Sequence, residues 1–256
     1  MDDGIDIIKI SLGDYEHYEE LLFMKERLVK EADDILLEYT RLFGKKNIEL
    51  FRLRIECIEL KKRISYCVAA INRGEKPDIE AINVLISAEM LGYKNELELL
   101  KLQQHVAASS RHVSAYEVQR VKKIYRDIAK LIHPDINPAT AGDEELKDIW
   151  EKVQSAYQRN DLETLEDLSV MVNKILRDKG LDHSKIMVDD LDEKIRRLEE
   201  RIEDIVTHEP YTYLELINDD GKIEKKNEEI DKQIKEYTEY RDSLKKQYEE
   251  IKGDGN

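Results

Sequence analysis

The sequence predicts an all-helical fold, and three observations support that prediction. Gly and Pro are scarce, with 10 and 4 residues in a chain of 256. Charged residues make up 39% of the chain and hydrophobic residues 41%. Leu, Ile and Tyr recur at steps of three and four, which is the period of an amphipathic helix. This combination is typical of long helices and coiled coils and argues against a disordered chain.

The N-terminal part is predicted to be a helical hairpin followed by a divided third helix. Apolar residues at helical spacing indicate one helix from about Asp14 to Phe43 and a second from about Asn47 to Asn72. Gly44 and the two lysines after it are interpreted as the turn between them. Asp78 is expected to cap a third helical stretch, which Gly92 divides in two.

The central part has the clearest local signals for helix starts and ends. Ser114 and Glu117 have the spacing of a capping box, in which each side chain satisfies a free backbone N–H group of the other residue. The helix that begins there is expected to end just before Pro134, which also restricts the residue preceding it. Asp143 is expected to cap the next helix, and Gly180 to end the one after that.

The helix before Pro134 is predicted to have an apolar face and a basic face. The apolar face, expected to meet Trp150, Val153 and Tyr157 across the loop, consists of Val118, Val121, Tyr125, Ile128 and Ile132. The remaining surface includes the basic residues Lys122, Lys123, Arg126 and Lys130. A locally basic helix on a chain with a formal charge of −15 is suited to docking an acidic partner.

The C-terminal part is predicted to be an antiparallel coiled-coil hairpin. A heptad seam runs from Leu191 to Ile205, and a return seam runs from Ile223 to Ile251. The return helix is longer, so its end has no partner in the first helix. That end is expected to dock on the central part, on the N-terminal hairpin or on a second copy of the chain. The predicted domains are therefore residues 1–95, 96–180 and 185–256.

The tripeptide His133-Pro134-Asp135 stands at the end of the basic helix, in a context that resembles a known family. The preceding segment, Lys122–Ile132, is similar to the second helix of J-domains, the co-chaperone module of DnaJ-like proteins, where Lys-x-Tyr-Arg-x-Leu-Ala runs into His-Pro-Asp. Asp135–Pro138 is similar to the family's Asp-Lys-Asn-Pro. Trp150, Val153, Ala156 and Tyr157 match its third-helix pattern. The resemblance covers residues 114–162, less than a quarter of the chain.

The resemblance implies a partner and assigns roles to residues. J-domains bind the ATPase domain of DnaK-type chaperones and stimulate its ATP hydrolysis. His133, Pro134 and Asp135 would form the trigger loop, and Tyr125 would serve in packing. Because Pro134 fixes the loop, the side chains of His133 and Asp135 are expected to project from it. The electrostatic face for the chaperone would be Lys122, Lys123, Arg126 and Lys130.

The sequence also departs from the family pattern. It lacks the Tyr-x-x-Leu-Gly signature of the family's first helix at the right distance, and a helix near Leu97 to Val106 is expected to take that place. Asp127 puts a negative charge where basic residues are common. The family's Gly-Phe-rich linker and zinc module are absent, so client binding is assigned to the helical arms.

Composition and motifs argue against several other classes of function. The acidic charge disfavours nucleic acid and anionic membranes as partners. An acidic N-terminus without an apolar segment after it predicts no secretory signal, and no stretch approaches a membrane span. Cys57 and Cys67 lie about 15 Å apart on one predicted helix, too far for a disulfide between them. Buried thiols and a cytoplasmic location are therefore expected.

No catalytic, cofactor or metal site is predicted. The chain has no Gly-rich phosphate loop and no nucleophile–base arrangement, and its histidines lack a second ligand at metal-site spacing. The favoured function is a J-domain-like co-chaperone that recruits a DnaK-type ATPase, with helical arms for a client or for self-association. The alternative is a structural or adaptor protein with a J-like fold that no longer stimulates a chaperone.

Overall fold

The structure is a computed structural model that describes residues 3–109, 113–180 and 191–254. The described residues form helices and connecting turns, with no strand among them, which confirms the predicted all-α class. In chain order the helices are α1 (Asp3–Asn72), α2 (Ile79–Glu89), α3 (Leu91–Ser109), α4 (Ala115–Ile132), α5 (Pro138–Ala141), α6 (Glu144–Gln158), α7 (Leu162–Lys179), α8 (Leu191–Thr207), α9 (Leu214–Ile217) and α10 (Asp220–Asp254). A 3₁₀ turn, Tyr211–Tyr213, precedes α9.

Helix α1 is unbroken, so the predicted turn at Gly44, and with it the N-terminal hairpin, is wrong. Gly44 lies where α3 packs closely against α1. A Cβ atom at this position would meet Cγ of Gln104 at 2.9 Å. The Nε of Arg41, one helical turn earlier, donates a hydrogen bond of 2.7 Å to the carbonyl oxygen of Ala107 in α3. The glycine therefore permits close helix packing and does not reverse the chain.

The other local signals for helix boundaries are confirmed. The side chain of Asp78 accepts a hydrogen bond from the backbone N–H of Ala81, at the start of α2. The third stretch divides at Met90, two residues before Gly92. Gly180 ends α7 with a φ of 62°, a left-handed conformation that glycine adopts without a steric penalty.

The chain forms two compact units, each built from segments that are distant in sequence. The first unit comprises Met1–Ala32 and Arg111–Glu209, and the second comprises Asp33–Ser110 and Pro210–Asn256. Neither unit coincides with one of the three consecutive domains that the sequence predicts. Independent folding of the central region stays a prediction, for which a test is given below.

The core of the first unit is formed by α4, α6 and α7. Val121, Tyr125, Ile128 and Ile132 of α4 are buried in one cluster with Trp150, Val153 and Tyr157 of α6, as the sequence predicts. Helix α7 adds Leu165, Leu168, Val172 and Leu176 to the same cluster. Phe23 of α1 packs against this core. The amphipathic period of α4 therefore determines which of its faces is left for other contacts.

The seam residues of α8 and α10 pack against α1 in separate clusters, which does not match the predicted coiled-coil hairpin. In the first unit, Leu198 of α8 is buried with Tyr18 and Leu22 of α1. In the second unit, Ile230 of α10 is buried with Phe43 and Leu50 of α1. Each seam packs against an apolar stripe that has the same helical period. That stripe belongs to α1, at the other end of the chain, and not to the second helix of a hairpin.

The predicted docking of the end of α10 on another part of the protein is confirmed. Tyr248 is 8% exposed and lies in a cluster with Ile55 and Cys67 of α1 and Ile86 of α2, and Ile251 packs against that cluster.

Cys57 and Cys67 are free and buried, as predicted, and burial raises the pKa of both thiols. Within the described ranges, no helix combines the length and the apolar character needed to cross a membrane.

Candidate functional site

Helix α4 presents the residues that the sequence predicts as a docking face. It begins at the capping box: the Ser114 hydroxyl accepts a hydrogen bond from the backbone N–H of Glu117, and the Glu117 carboxylate accepts one from the backbone N–H of Ser114. It ends at Ile132, and His133 is extended with a ψ of 125°, the conformation that a following proline favours. Local sequence therefore sets both the start of the basic helix and the start of the loop.

The loop after α4 is held by backbone and side-chain hydrogen bonds. The buried side chain of Asn137 donates from Nδ2 to the carbonyl oxygen of Leu131 at 2.9 Å, which closes the loop onto the end of the helix. The backbone N–H groups of Ile136 and Asn137 donate to the carbonyl oxygen of His133. Pro134 and Asp135 are exposed at the tip of the loop. The tip is therefore fixed in place and accessible from solvent.

His133 is buried, which corrects the expectation that its side chain projects from the loop. It is 4% exposed, and its ring contacts the Trp150 ring edge-on with centroids 4.7 Å apart. The backbone N–H of Asp135 donates to Nδ1 of His133 at 3.0 Å. Since Nδ1 is thus an acceptor, the ring proton lies on Nε2, which is 3.0 Å from Oε1 of Glu26.

Glu26 of α1 joins the loop to the core of the first unit. Its Oε1 accepts from His133, and its Oε2 accepts a 2.8 Å hydrogen bond from the hydroxyl of Tyr125. Burial, and then the charge of Glu26, raise the pKa of that hydroxyl. The Tyr125 ring stacks on the Tyr157 ring with centroids 3.9 Å apart, in agreement with its predicted packing role. One carboxylate thus binds a predicted trigger residue and a core aromatic residue together.

Three of the basic residues predicted as the docking face of α4 are paired with acidic residues of α1. The Nζ of Lys130 is 3.0 Å from Oε1 of Glu19, and the Nζ of Lys122 is 3.1 Å from Oε1 of Glu31. Arg126 lies 3.8 Å from Glu20, and its guanidinium lies over the ring of Phe23. Lys123 is exposed and has no ion-pair partner in the part of the chain that the structure describes.

The strength of these contacts is concentrated at Glu26. The Arg126–Glu20 pair is largely exposed, with side chains 49% and 73% accessible, and pairs of that kind contribute about 0–1 kcal/mol. The His133–Glu26 pair is 5% and 12% accessible. A buried hydrogen bond to a charged group contributes about 1.5–3 kcal/mol, and leaving its partner unsatisfied costs a similar amount. Glu26 therefore holds α1 on the loop more firmly than the peripheral pairs do.

The contact between α1 and α4 is not closed along its whole length. A groove of about 510 Å³ lies beside it, and its lining includes Phe23 and Arg27 of α1 and Lys122, Lys123 and Arg126 of α4. Part of the basic surface therefore faces solvent through this groove. Lys123 and Arg126 are both exposed and both line this groove.

The structure places the His133-Pro134-Asp135 loop at the end of the basic helix with His133 buried, and it adds a segment that sequence reasoning missed. His133, Pro134 and Asp135 follow the basic helix as expected. The helix near Leu97 to Val106 does not take the place of a first J-domain helix: α3 belongs to the other compact unit, and Leu99, Leu102 and Val106 are exposed. The missed residues are Glu19, Glu20, Glu26 and Glu31. A signal was present, since Glu19 and Glu26 stand among the apolar positions of α1.

Neither metal chemistry nor a comparison with known proteins identifies the site further. Within the ranges that the structure describes, no group of three or more His, Cys, Asp and Glu side chains could hold a metal ion. Comparisons with family models, with curated proteins and with solved structures each gave no match to this chain. The interpretation of the site therefore depends on its own residues and on the resemblance described above.

Proposed function

We propose that this protein is a J-domain-like co-chaperone that binds a DnaK-type ATPase through the basic face of α4 and the His133-Pro134-Asp135 loop. The observation that carries the proposal is the arrangement of that loop at the end of a basic helix, opposite Trp150, Val153 and Tyr157 of α6. The pairing of the basic face with carboxylates of α1 supports an acidic surface as the partner.

The test is the single-turnover rate of ATP hydrolysis by a purified DnaK-type ATPase, with and without this protein. The full chain is expected to raise the rate, and His133→Gln is expected to abolish the increase. His105→Gln is the matched control, because it makes the same substitution at an exposed histidine of α3. Equal stimulation by the wild type and by His133→Gln would contradict the assignment of the trigger loop.

A second variant is needed because His133 is part of the folded core. Asp135→Asn changes an exposed side chain at the loop tip and keeps its size. It is expected to reduce stimulation while the helical content, measured by circular dichroism, stays that of the wild type. Full stimulation by Asp135→Asn would exclude the loop tip from the contact.

The burial of His133 favours a second candidate function, an adaptor that binds acidic helices without stimulating an ATPase. The His133 side chain is 5% exposed and bound to Glu26, so its contact with a partner requires α1 to move. The adaptor function predicts that the DnaK-type ATPase neither binds tightly nor hydrolyses ATP faster. Calorimetric binding measured beside the hydrolysis rate distinguishes the two candidates.

A further inference from the structure

One segment of α1 covers the docking face, which is the basic face of α4 with the His133-Pro134-Asp135 loop. This segment carries the acidic side chains that a partner of a basic face would need. This covering segment, residues 15–31, contains Glu16, Glu19, Glu20, Glu26 and Glu31. Four of these five carboxylates contact the face: Glu19, Glu20, Glu26 and Glu31 pair with α4 or with His133. The acidic residues therefore lie where an acidic partner of α4 would have to place its own charges.

The covering segment contacts α4 and the loop along one helical stripe. Tyr15, Glu19, Leu22, Glu26 and Lys30 follow one another at steps of four, three, four and four, which places them on one side of the helix. The Tyr15 hydroxyl donates to the carbonyl oxygen of Ile136. At the other end, the nearly inaccessible Lys30 side chain lies over the ring of Tyr157. The stripe thus reaches from the loop to the C-terminal end of α6.

The groove beside the covering segment gives an external partner a point of entry. Lys123 is exposed there, and no described residue forms an ion pair with it. The side chains of Arg126 and Lys130 are each 49% accessible, so an external carboxylate can approach both of them. The buried contact of Glu26 with His133 must open before the whole face becomes free.

We propose that the covering segment is an intramolecular competitor: the docking face binds an acidic amphipathic helix, and α1 supplies one that an external partner must displace. This inference builds on the function proposed above, because it identifies how access to that same face is regulated. A ligand gains access only to the extent that the open state is populated, so the affinity measured with the wild type is reduced by the fraction that is open. Weakening the covering segment is therefore expected to increase binding.

The test neutralises the covering carboxylates in the full chain. Glu19→Gln, Glu26→Gln and Glu31→Gln are combined, which removes three charges with little change in side-chain size. The matched control combines Glu16→Gln, Glu49→Gln and Glu239→Gln, since these glutamates are exposed and have no ion pair within the described residues. Because loss of Glu26 affects the core, a second variant combines Glu19→Gln, Glu20→Gln and Glu31→Gln and keeps Glu26.

The first measurement does not involve a chaperone. Acylation of lysine amines, followed by mass spectrometry, is expected to be about two- to fivefold faster at Lys122 and Lys130 in both variants, the range that loss of a weak ion pair gives. Lys123 is the internal reference, and its rate should not change. Unchanged rates at Lys122 and Lys130 in both variants would overturn the inference.

The second measurement is stimulation of the DnaK-type ATPase at a protein concentration below saturation. The inference predicts that the neutralised variants stimulate more than the wild type and that the control variant does not. Equal stimulation by the wild type and the variants, with the lysines more reactive, would overturn the inference and leave the proposed function in place. No stimulation by any of the proteins, with the lysines more reactive, would instead overturn the proposed function.

Discussion

The Nε2 of His133 lies 3.0 Å from Oε1 of Glu26, a residue 107 positions away in the sequence. The same carboxylate binds the hydroxyl of Tyr125 through its second oxygen. The resemblance to J-domains assigns His133 to a loop that contacts another protein. In this structure the intramolecular contact with Glu26 holds it in the core, so the contact has consequences for both stability and access.

Removal of the Glu26 carboxylate should destabilise the protein. Glu26→Ala leaves the Tyr125 hydroxyl and the ring N–H of His133 without their acceptor, at a cost of about 1–3 kcal/mol for each unsatisfied group. We expect the free energy of unfolding, measured by urea denaturation and circular dichroism, to fall by ~2–4 kcal/mol. Glu16→Ala, an exposed position in the same helix, should change it by less than about 0.5 kcal/mol. Equal midpoints for the two variants would contradict the importance of Glu26.

If the proposed function holds, charge reversal at Lys123 should weaken binding to the DnaK-type ATPase without disturbing the fold. Lys123 has no ion pair among the described residues, so Lys123→Glu breaks no contact that the structure records. We expect the affinity for the DnaK-type ATPase, measured by calorimetry, to fall about fivefold, which corresponds to ~1 kcal/mol for an exposed charge. Lys245→Glu, which makes the same change in α10, is the control, and a similar loss there would indicate a nonspecific effect.

Salt should weaken the binding of the wild type for the same reason. Exposed charges are screened over about 10 Å at ~0.1 M salt, so the affinity should fall steadily as salt is added. The double variant Arg126→Glu with Lys123→Glu should make the affinity less dependent on salt. Asp127→Lys, a change at an exposed acidic residue of α4, should strengthen binding. An affinity that does not change with salt would place the contact on another surface.

Alkaline pH should remove a contribution of Tyr15 to stability. Burial, and then the charge of Glu19, raise the pKa of Tyr15 to about 12, from a usual value of 10.0. A raised pKa in the folded state means that the neutral hydroxyl stabilises the fold below pH 10.0, and that this contribution is lost as the pH rises towards 12.

Tyr15→Phe measures that contribution. At neutral pH the variant should be less stable by about 1 kcal/mol, because it lacks the hydrogen bond to the carbonyl oxygen of Ile136. The difference between wild type and variant should shrink between pH 10.0 and about 12, when unfolding is measured at a series of pH values. A difference that is independent of pH would mean that folding does not change the pKa of the Tyr15 hydroxyl.

Deletion of residues 185–256 should leave α4, α6 and α7 folded. Their core consists of residues from Val121 to Leu176, with Phe23 packed against it, and it contains no side chain of α8 or α10. Hydrogen exchange should show protected amides at Ile128, Val153 and Val172 in the truncated chain. The amides of α1 should lose protection, because Leu198, Ile230 and Tyr248 pack on that helix. Loss of protection in α4 and α6 would show that the predicted central domain does not fold alone.

The features that the sequence predicts correctly depend on neighbours in the chain. The capping box of Ser114 and Glu117 and the helix stop at Pro134 involve residues at most four apart, so their geometry follows from spacing alone. The buried face of α4 follows from its period, and its apolar partners in α6 are separated from it by one short loop. Local rules were sufficient for these elements.

The features that were missed depend on residues far apart in the sequence. From the sequence alone, Gly44 is interpreted as a helix stop. In the structure, Gln104, 60 residues later, occupies the space that a side chain at Gly44 would need. From the sequence alone, Glu26 resembles a surface charge. In the structure, Tyr125 and His133 lie beside it and form hydrogen bonds with it. The seams of α8 and α10 have matching periods, but α1 has the same period and competes for both. Periodicity shows which face is buried but does not identify the helix that covers it.

Trp150 is the only tryptophan in the chain, and it lies where the loop meets the core of the first unit. Its ring contacts the His133 ring edge-on, and its ring centroid is 5.6 Å from that of Tyr125. His133 and Tyr125 are the two side chains that bind Glu26. Its fluorescence is therefore an intrinsic reporter of whether the docking face is covered. Displacement of α1 would admit water to the indole and shift its emission to longer wavelength, so the open state can be followed in the unlabelled protein and in real time.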